Sequence, residues 1–145
     1  MIESLGTAGA IPALEMTLQF AGARQRVIAH NIANIDTPNF QPKDADPGEF
    51  QKVLGEAVQQ RRERNGGTSG ALEWKESRQI RRGPGGTLRL DPQTPSGNVL
   101  FHDRNSRDLE RTMQDLVENA GVYRVATDLL RSRYQIIQSA IAERV

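Results

Sequence analysis

The sequence predicts a mainly α-helical protein. N- and C-terminal helices pair as an antiparallel coiled coil, and an irregular middle segment holds short β-ribbon pieces. Three observations predict this. Apolar residues recur at heptad spacing at both ends of the chain. Most of the glycines lie between the two seams, together with Pro84, Pro92 and Pro95. Hydrophobic residues are 37 % and aromatics 5 % of 145 residues, against about 45–50 % apolar in ordinary domains, so a large core is not expected.

Residues 1–11 carry Gly6, Gly9 and small side chains and are expected to be flexible. The first helix is placed at 12–35. Leu14, Leu18, Ala21, Gln25, Ile28, Ile32 and Ile35 step alternately by four and three, a heptad seam with one polar member, Gln25. Pro12 suits a first turn, where its missing N–H costs nothing. Asn34 can end the helix in a left-handed conformation, and Pro38 stops any continuation.

Residues 36–105 form a turn motif and a loop and β-ribbon insert. Phe50, Val53, Leu54 and Val58 suggest a short amphipathic helix over 47–64, and disorder is expected near 61–71. Leu72–Lys75, Arg78–Arg82, Thr87–Leu90 and Asn98–Phe101 are short strand candidates, too few and too polar to close a sheet core.

The last helix is placed at 106–145. Leu109, Met113, Leu116, Ala120, Tyr123, Thr127, Leu130, Tyr134, Ile137 and Ile141 keep the heptad step without a break. Ser106 is the N-cap candidate, and Gly121 is the weak point, costing about 1 kcal/mol relative to Ala.

A helix buries one stripe against a partner. The first helix can cover only about half of the longer seam, and the middle segment is expected to be too polar to cover the rest. The chain therefore looks built to finish folding against other chains. The simpler reading is a self-contained helical hairpin.

The stretch Asn31-Ile32-Ala33-Asn34-Ile35-Asp36-Thr37-Pro38-Asn39-Phe40, preceded by Arg26–His30, resembles the signature of flagellar rod and hook proteins: a helix followed by Ala-Asn-x-Asp-Thr-Pro-Gly-Tyr. Lys43-Asp44 fits the Lys/Arg-Asp pair of the smallest members, and Gly97-Asn98-Val99 with Asp103-Arg104 resembles the region leading into their last helix. Short length without a large middle domain points to the proximal-rod branch. Asn39-Phe40 replaces Gly-Tyr; Asn tolerates positive φ better than most residues, and Phe keeps the ring without the hydroxyl. The resemblance implies a rod subunit that packs with copies of itself and with other rod proteins. It also implies membrane-ring and rod-adaptor partners, torque transmission, and type III export without a cleaved signal peptide. The other readings are another axial rod subunit or a free-standing helical adaptor with a basic loop.

The turn has a physical reading of its own. Asn31 and Asn34 can donate to the free carbonyls of the helix end or to a neighbouring chain, Asp36 can form an Asx-turn, and Pro38 fixes φ. With Thr37 and Phe40 these residues either stop the helix or also touch adjacent subunits. The interface candidates on the seams are Leu14, Leu18, Ile28, Ile32, Leu116, Leu130, Tyr134, Ile137 and Ile141.

Chemistry is not expected. Cys is absent, which excludes disulfides and thiolate sites. His30 and His102 have no metal spacing; Asp44, Asp46 and Glu49 read as a solvated loop; Gly83-Pro84-Gly85-Gly86 lacks the Lys-Ser/Thr of a phosphate loop and reads as a turn. No cofactor, small-molecule substrate or enzymatic role is expected. Arg61, Arg62 and Arg64, and Arg78, Arg81 and Arg82, form two basic patches, but no nucleic-acid motif accompanies them and net charge is +1. No apolar run reaches the length of a membrane helix, and Glu3, Glu15, Arg24 and Arg26 break any signal-like stretch.

Overall fold

The computed structural model describes residues 9–94 and 109–142. The expectations for residues 1–8, for the Asn98–Phe101 strand, for Gly97–Arg104 and for the Ser106 cap lie outside these.

Helix α1 spans Ile11–Ala33, α2 Pro47–Asn65 and α3 Leu109–Ala142. Strands β1 (Ile80–Arg82) and β2 (Leu88–Leu90) form an antiparallel ribbon in which Arg81 faces Arg89. Its connection contains a short 3₁₀ turn, Pro84–Gly86, in which Gly85 and Gly86 take φ of 69° and 77°, a region that glycine alone adopts freely. Gly83-Pro84-Gly85-Gly86 is thus a hairpin turn.

Helices α1 and α3 lie antiparallel. Tyr134 Oη donates to Glu15 at one end, and Arg24 reaches Asp115 toward the other. At 1.5 Å per residue, 23 residues give about 35 Å and 34 residues about 51 Å, so α3 outreaches α1. Midway, Asn119 is buried and donates to the Ala21 carbonyl (2.9 Å) and to Gln25 Oε1 (2.7 Å). The polar seam member Gln25 therefore has a polar partner. Such a pair inside an apolar interface favours one register, because a slip would leave both amides unpaired.

The middle segment, beyond its short β-ribbon, shares a small core with α1. Met16 and Phe20, on a second face of α1, pack against Ala45, Phe50, Val53, Ala57, Trp74 and Ile80. Phe20 and Phe50 stack with centroids 4.1 Å apart, worth about 1 kcal/mol beyond their buried area. Leu54, Leu72, Leu88 and Leu90 close the rim. Its apolar residues are dispersed in the sequence, and α1 supplies the surface that collects them.

The expected disorder near 61–71 is also replaced by structure. Residues 61–65 complete α2, which Gly66 ends with φ of 64° and an N–H to the Arg62 carbonyl. Arg61, itself buried, donates to the carbonyls of Gly9 (2.5 Å) and Ser69 (3.3 Å) and ties the chain before α1 to this turn. Leu72–Lys75, a strand candidate, is not part of the ribbon; it lies across the core with Trp74 buried.

The acidic residues taken for a solvated loop are structural. Asp46 caps α2, accepting from Gly48 N–H at 2.9 Å, while Pro47 fills the first turn. Glu49 accepts from Gln79 N–H at 3.1 Å, anchoring the approach to β1. The bond from Ser77 holds the Glu49 carboxyl below its usual range; desolvation opposes this, and Gln79 N–H and the charge of Arg78 reinforce it.

Candidate functional site

The seam residues divide by depth. On α1, Ile28 is buried and Leu14, Leu18 and Ile32 are half-buried. On α3, Leu116, Leu130 and Ile137 are half-buried, while Tyr134 and Ile141 are 41 % and 52 % exposed. Desolvation and then the charge of Glu15 push the Tyr134 phenol above its usual value. Leu109, Met113 and Tyr123 are also exposed. The longer seam is therefore only partly covered within one chain.

The exit from α1 is closed mainly by the main chain, and Asn34 takes φ of −111° instead of the left-handed conformation expected of it, which falls to Asn39. Asn34 Nδ2 donates to the His30 carbonyl at 2.8 Å, satisfying one of the free acceptors of the helix end. Thr37 N–H donates to the Asn34 carbonyl and Phe40 N–H to the Thr37 carbonyl. The second of these turns has Pro38 in its second position and Asn39 in its third with φ of 60°, so Asn39 does the work of a glycine. These backbone bonds form the turn, and Asp36, the candidate for an Asx-turn, is exposed. The Phe40 ring stands edge-on to His30 at 5.5 Å.

Asn31 does not serve the helix end. Its Nδ2 donates to the Lys43 carbonyl (2.6 Å) and its Oδ1 accepts from Lys43 N–H (3.1 Å). The side chain thus imitates a paired backbone and folds the post-turn strand back along α1. That places Asp44 over Arg24, the residue the sequence reading missed. Arg24 is 4 % exposed; its Nε and Nη2 each donate to Asp44 at 3.0 Å, and Nη2 also reaches Asp115 at 3.1 Å. Burial opposes its charge, but the bond and charge of Asp44, and then of Asp115, outweigh this and hold the guanidinium above its usual value. Asp44 also exchanges both backbone bonds with Gln93. One side chain therefore joins α1, the post-turn segment and α3. The available signal was the Lys43-Asp44 pair, whose acid needs a cation.

The basic patches are likewise engaged in the fold. Arg61 serves carbonyls, Arg64 pairs with Glu73, Arg81 pairs with Glu76, and Arg82 lies over the Trp74 ring and donates to its carbonyl.

A family model described as Flagella basal body rod protein matches residues 14–41, which cover most of α1 and the exit turn. Flagellar basal body rod protein FlgB of Yersinia enterocolitica is 28 % identical over 142 residues, 93 % of this chain and 95 % of the relative. FlgB of Salmonella typhimurium is 30 % identical over 123 residues, 80 % of each chain. The chain belongs to the FlgB family. FlgB of Bacillus subtilis is 48 % identical, but over 46 residues only. The FlgB family assignment makes this a structural protein of the flagellar basal-body rod, so its surfaces are to be read as surfaces for assembly.

Proposed function

We propose that the chain is a proximal-rod subunit that assembles by coiled-coil packing of its terminal helices and transmits torque for motility. The observation that carries this reading is the partly covered seam of α3, with Tyr134 and Ile141 still 41 % and 52 % exposed after α1 has docked. An apolar stripe of that length favours burial against another chain. Its contacts would be heterologous, since head-to-tail contacts generate open helical assemblies. The other partners are further rod proteins, the membrane ring, rod-adaptor proteins and the export apparatus, with export through the type III route to a rod that spans the periplasm. Asn31, Asn34, Asp36, Thr37, Pro38 and Phe40 set the direction in which the chain leaves α1, and their outer sides are offered to neighbouring subunits.

The test is Ile137→Asp, introduced in place of the native gene in flagellated cells. The variant chain accumulates and folds around its Phe20–Phe50 core, but rods are not built and swimming stops. Normal swimming by this variant would show that the seam is no interface.

A further inference from the structure

Helix α3 docks on α1 through a stripe that steps by three and four: Leu116, Asn119, Tyr123, Ala126 and Leu130. Asn119 is 3 % exposed, whereas Ala120, the next residue and itself a seam position, is exposed. The helix thus buries an amide where a turn of less than one residue about its axis would bury a methyl group. Apolar burial alone does not make that choice, because a buried amide without a partner costs about 1–3 kcal/mol.

What Asn119 gains lies on α1. Its Nδ2 donates to the Ala21 carbonyl at 2.9 Å and to Gln25 Oε1 at 2.7 Å, so both amide hydrogens are used. Gln25 is the one polar member of the α1 seam, and it meets the polar member of the α3 stripe. Two neighbouring contacts are equally particular. Arg24 reaches Asp115, and a Cβ added to Gly22 would lie 3.7 Å from Tyr123 Cε2, so that ring rests over a glycine.

We propose that the Asn119–Gln25 pair selects the helix on which α3 docks: it accepts an α1 and refuses a second α3. A choice is needed, since both seams share heptad spacing and α3 is the longer helix. Two α3 helices from two copies would overlap over as many as 34 residues, against 23 on α1, and would bury more apolar surface. Parallel and in register, they would pair Asn119 with Asn119. They would also leave each Asp115 without Arg24, set Tyr123 against Tyr123 and bring Arg133 beside Arg133. Antiparallel at full overlap, Asp115 would gain Arg133, but each Asn119 would face Leu130 with no partner for its amide. A polar residue inside an apolar helix pair fixes partner as well as register, at a cost in stability. This selection is independent of the rod reading, because it acts in the isolated chain.

Position 126 reports the choice. Ala126 is buried against α1 and lies at the middle of α3, so two α3 helices paired in either sense would bring its two copies together. The chain has no native cysteine, so Ala126→Cys introduces a single thiol. Purified full-length chain carrying this reporter is held in a glutathione redox buffer, alone and combined with Gln25→Leu and Asn119→Leu. The expected result is a disulfide-linked dimer as the major species from the leucine variant and only background from the reporter alone. The unfolding midpoint of the leucine variant in denaturant should be no lower than that of the reporter chain. A pair with a merely structural role would give the opposite, a lower midpoint and no dimer. A folded leucine variant without the dimer would overturn the proposal, as would an equal dimer from the reporter alone. If the double substitution loses the helical signal in circular dichroism, Asn119→Leu alone carries the test with the same outcomes.

Discussion

Helices α1 and α3 carry the same kind of heptad seam but are used very differently. Seven of the 23 residues of α1 are buried, against two of 34 in α3. The difference does not come from the seams. Helix α1 is enclosed by α3 on one side and by the middle segment on another, whereas α3 touches α1 alone along most of its length. Periodicity in a sequence therefore marks a face that favours burial, and only the rest of the chain decides whether it is buried within one molecule. Here the enclosed helix carries most of the buried core, and the open one leaves most of its residues exposed.

Substitutions can break or sharpen that contrast. The largest loss is expected for Phe20→Ala, which removes half of the stacked pair and leaves a cavity, at about 4 kcal/mol in denaturant unfolding of the full chain. Arg24→Met should follow at about 3 kcal/mol, because two carboxylates lose their shared cation; restoring stability with Asp44→Asn and Asp115→Asn would confirm that origin. Asn31→Ala loses two side-chain bonds to Lys43 and is expected to cost about 1 kcal/mol, with faster amide exchange at Lys43. Acid should act on the enclosed half through Glu49. Its carboxyl is depressed in the fold, so its stabilisation is present above the unfolded value of about 4.3 and is lost as pH falls through the folded value. Glu49→Gln should flatten the unfolding midpoint in that acidic window. The smallest change is expected for Val125→Ser on α3, within about 0.5 kcal/mol, because that side chain is already wet in the single chain.

Much of this architecture was legible in the residues. Pro12 and Pro47 are local signals that mark helix starts without help from distant residues, whereas the sequence alone reads Asp46 as part of a solvated loop and Gly66 as part of a disordered stretch, although both close helix ends. The heptad seams announced the α1–α3 pair for the same reason. The middle core was not legible, because Ala45, Phe50, Trp74 and Ile80 have no common period and meet only on Met16 and Phe20. Met16 and Phe20 fall outside the heptad seam of their own helix, so its period does not point to them. For the site, Asn34 and Pro38 were readable as a helix stop and Asn39 as the residue that tolerates positive φ, whereas the use of Asn31 on Lys43 and of Arg24 on two carboxylates depends on where the chain returns.

The Arg24 clasp has a consequence for how the molecule closes. Its two acids lie 20 and 91 residues further along the chain. A polypeptide that emerges from its N-terminus presents Asp44 early, and the first half of the clasp needs only the turn after α1. Asp115 arrives much later. In the folded chain the guanidinium that Asp44 holds by two bonds also meets Asp115, so the seat of the last helix is fixed by a cation already oriented from the first half of the chain.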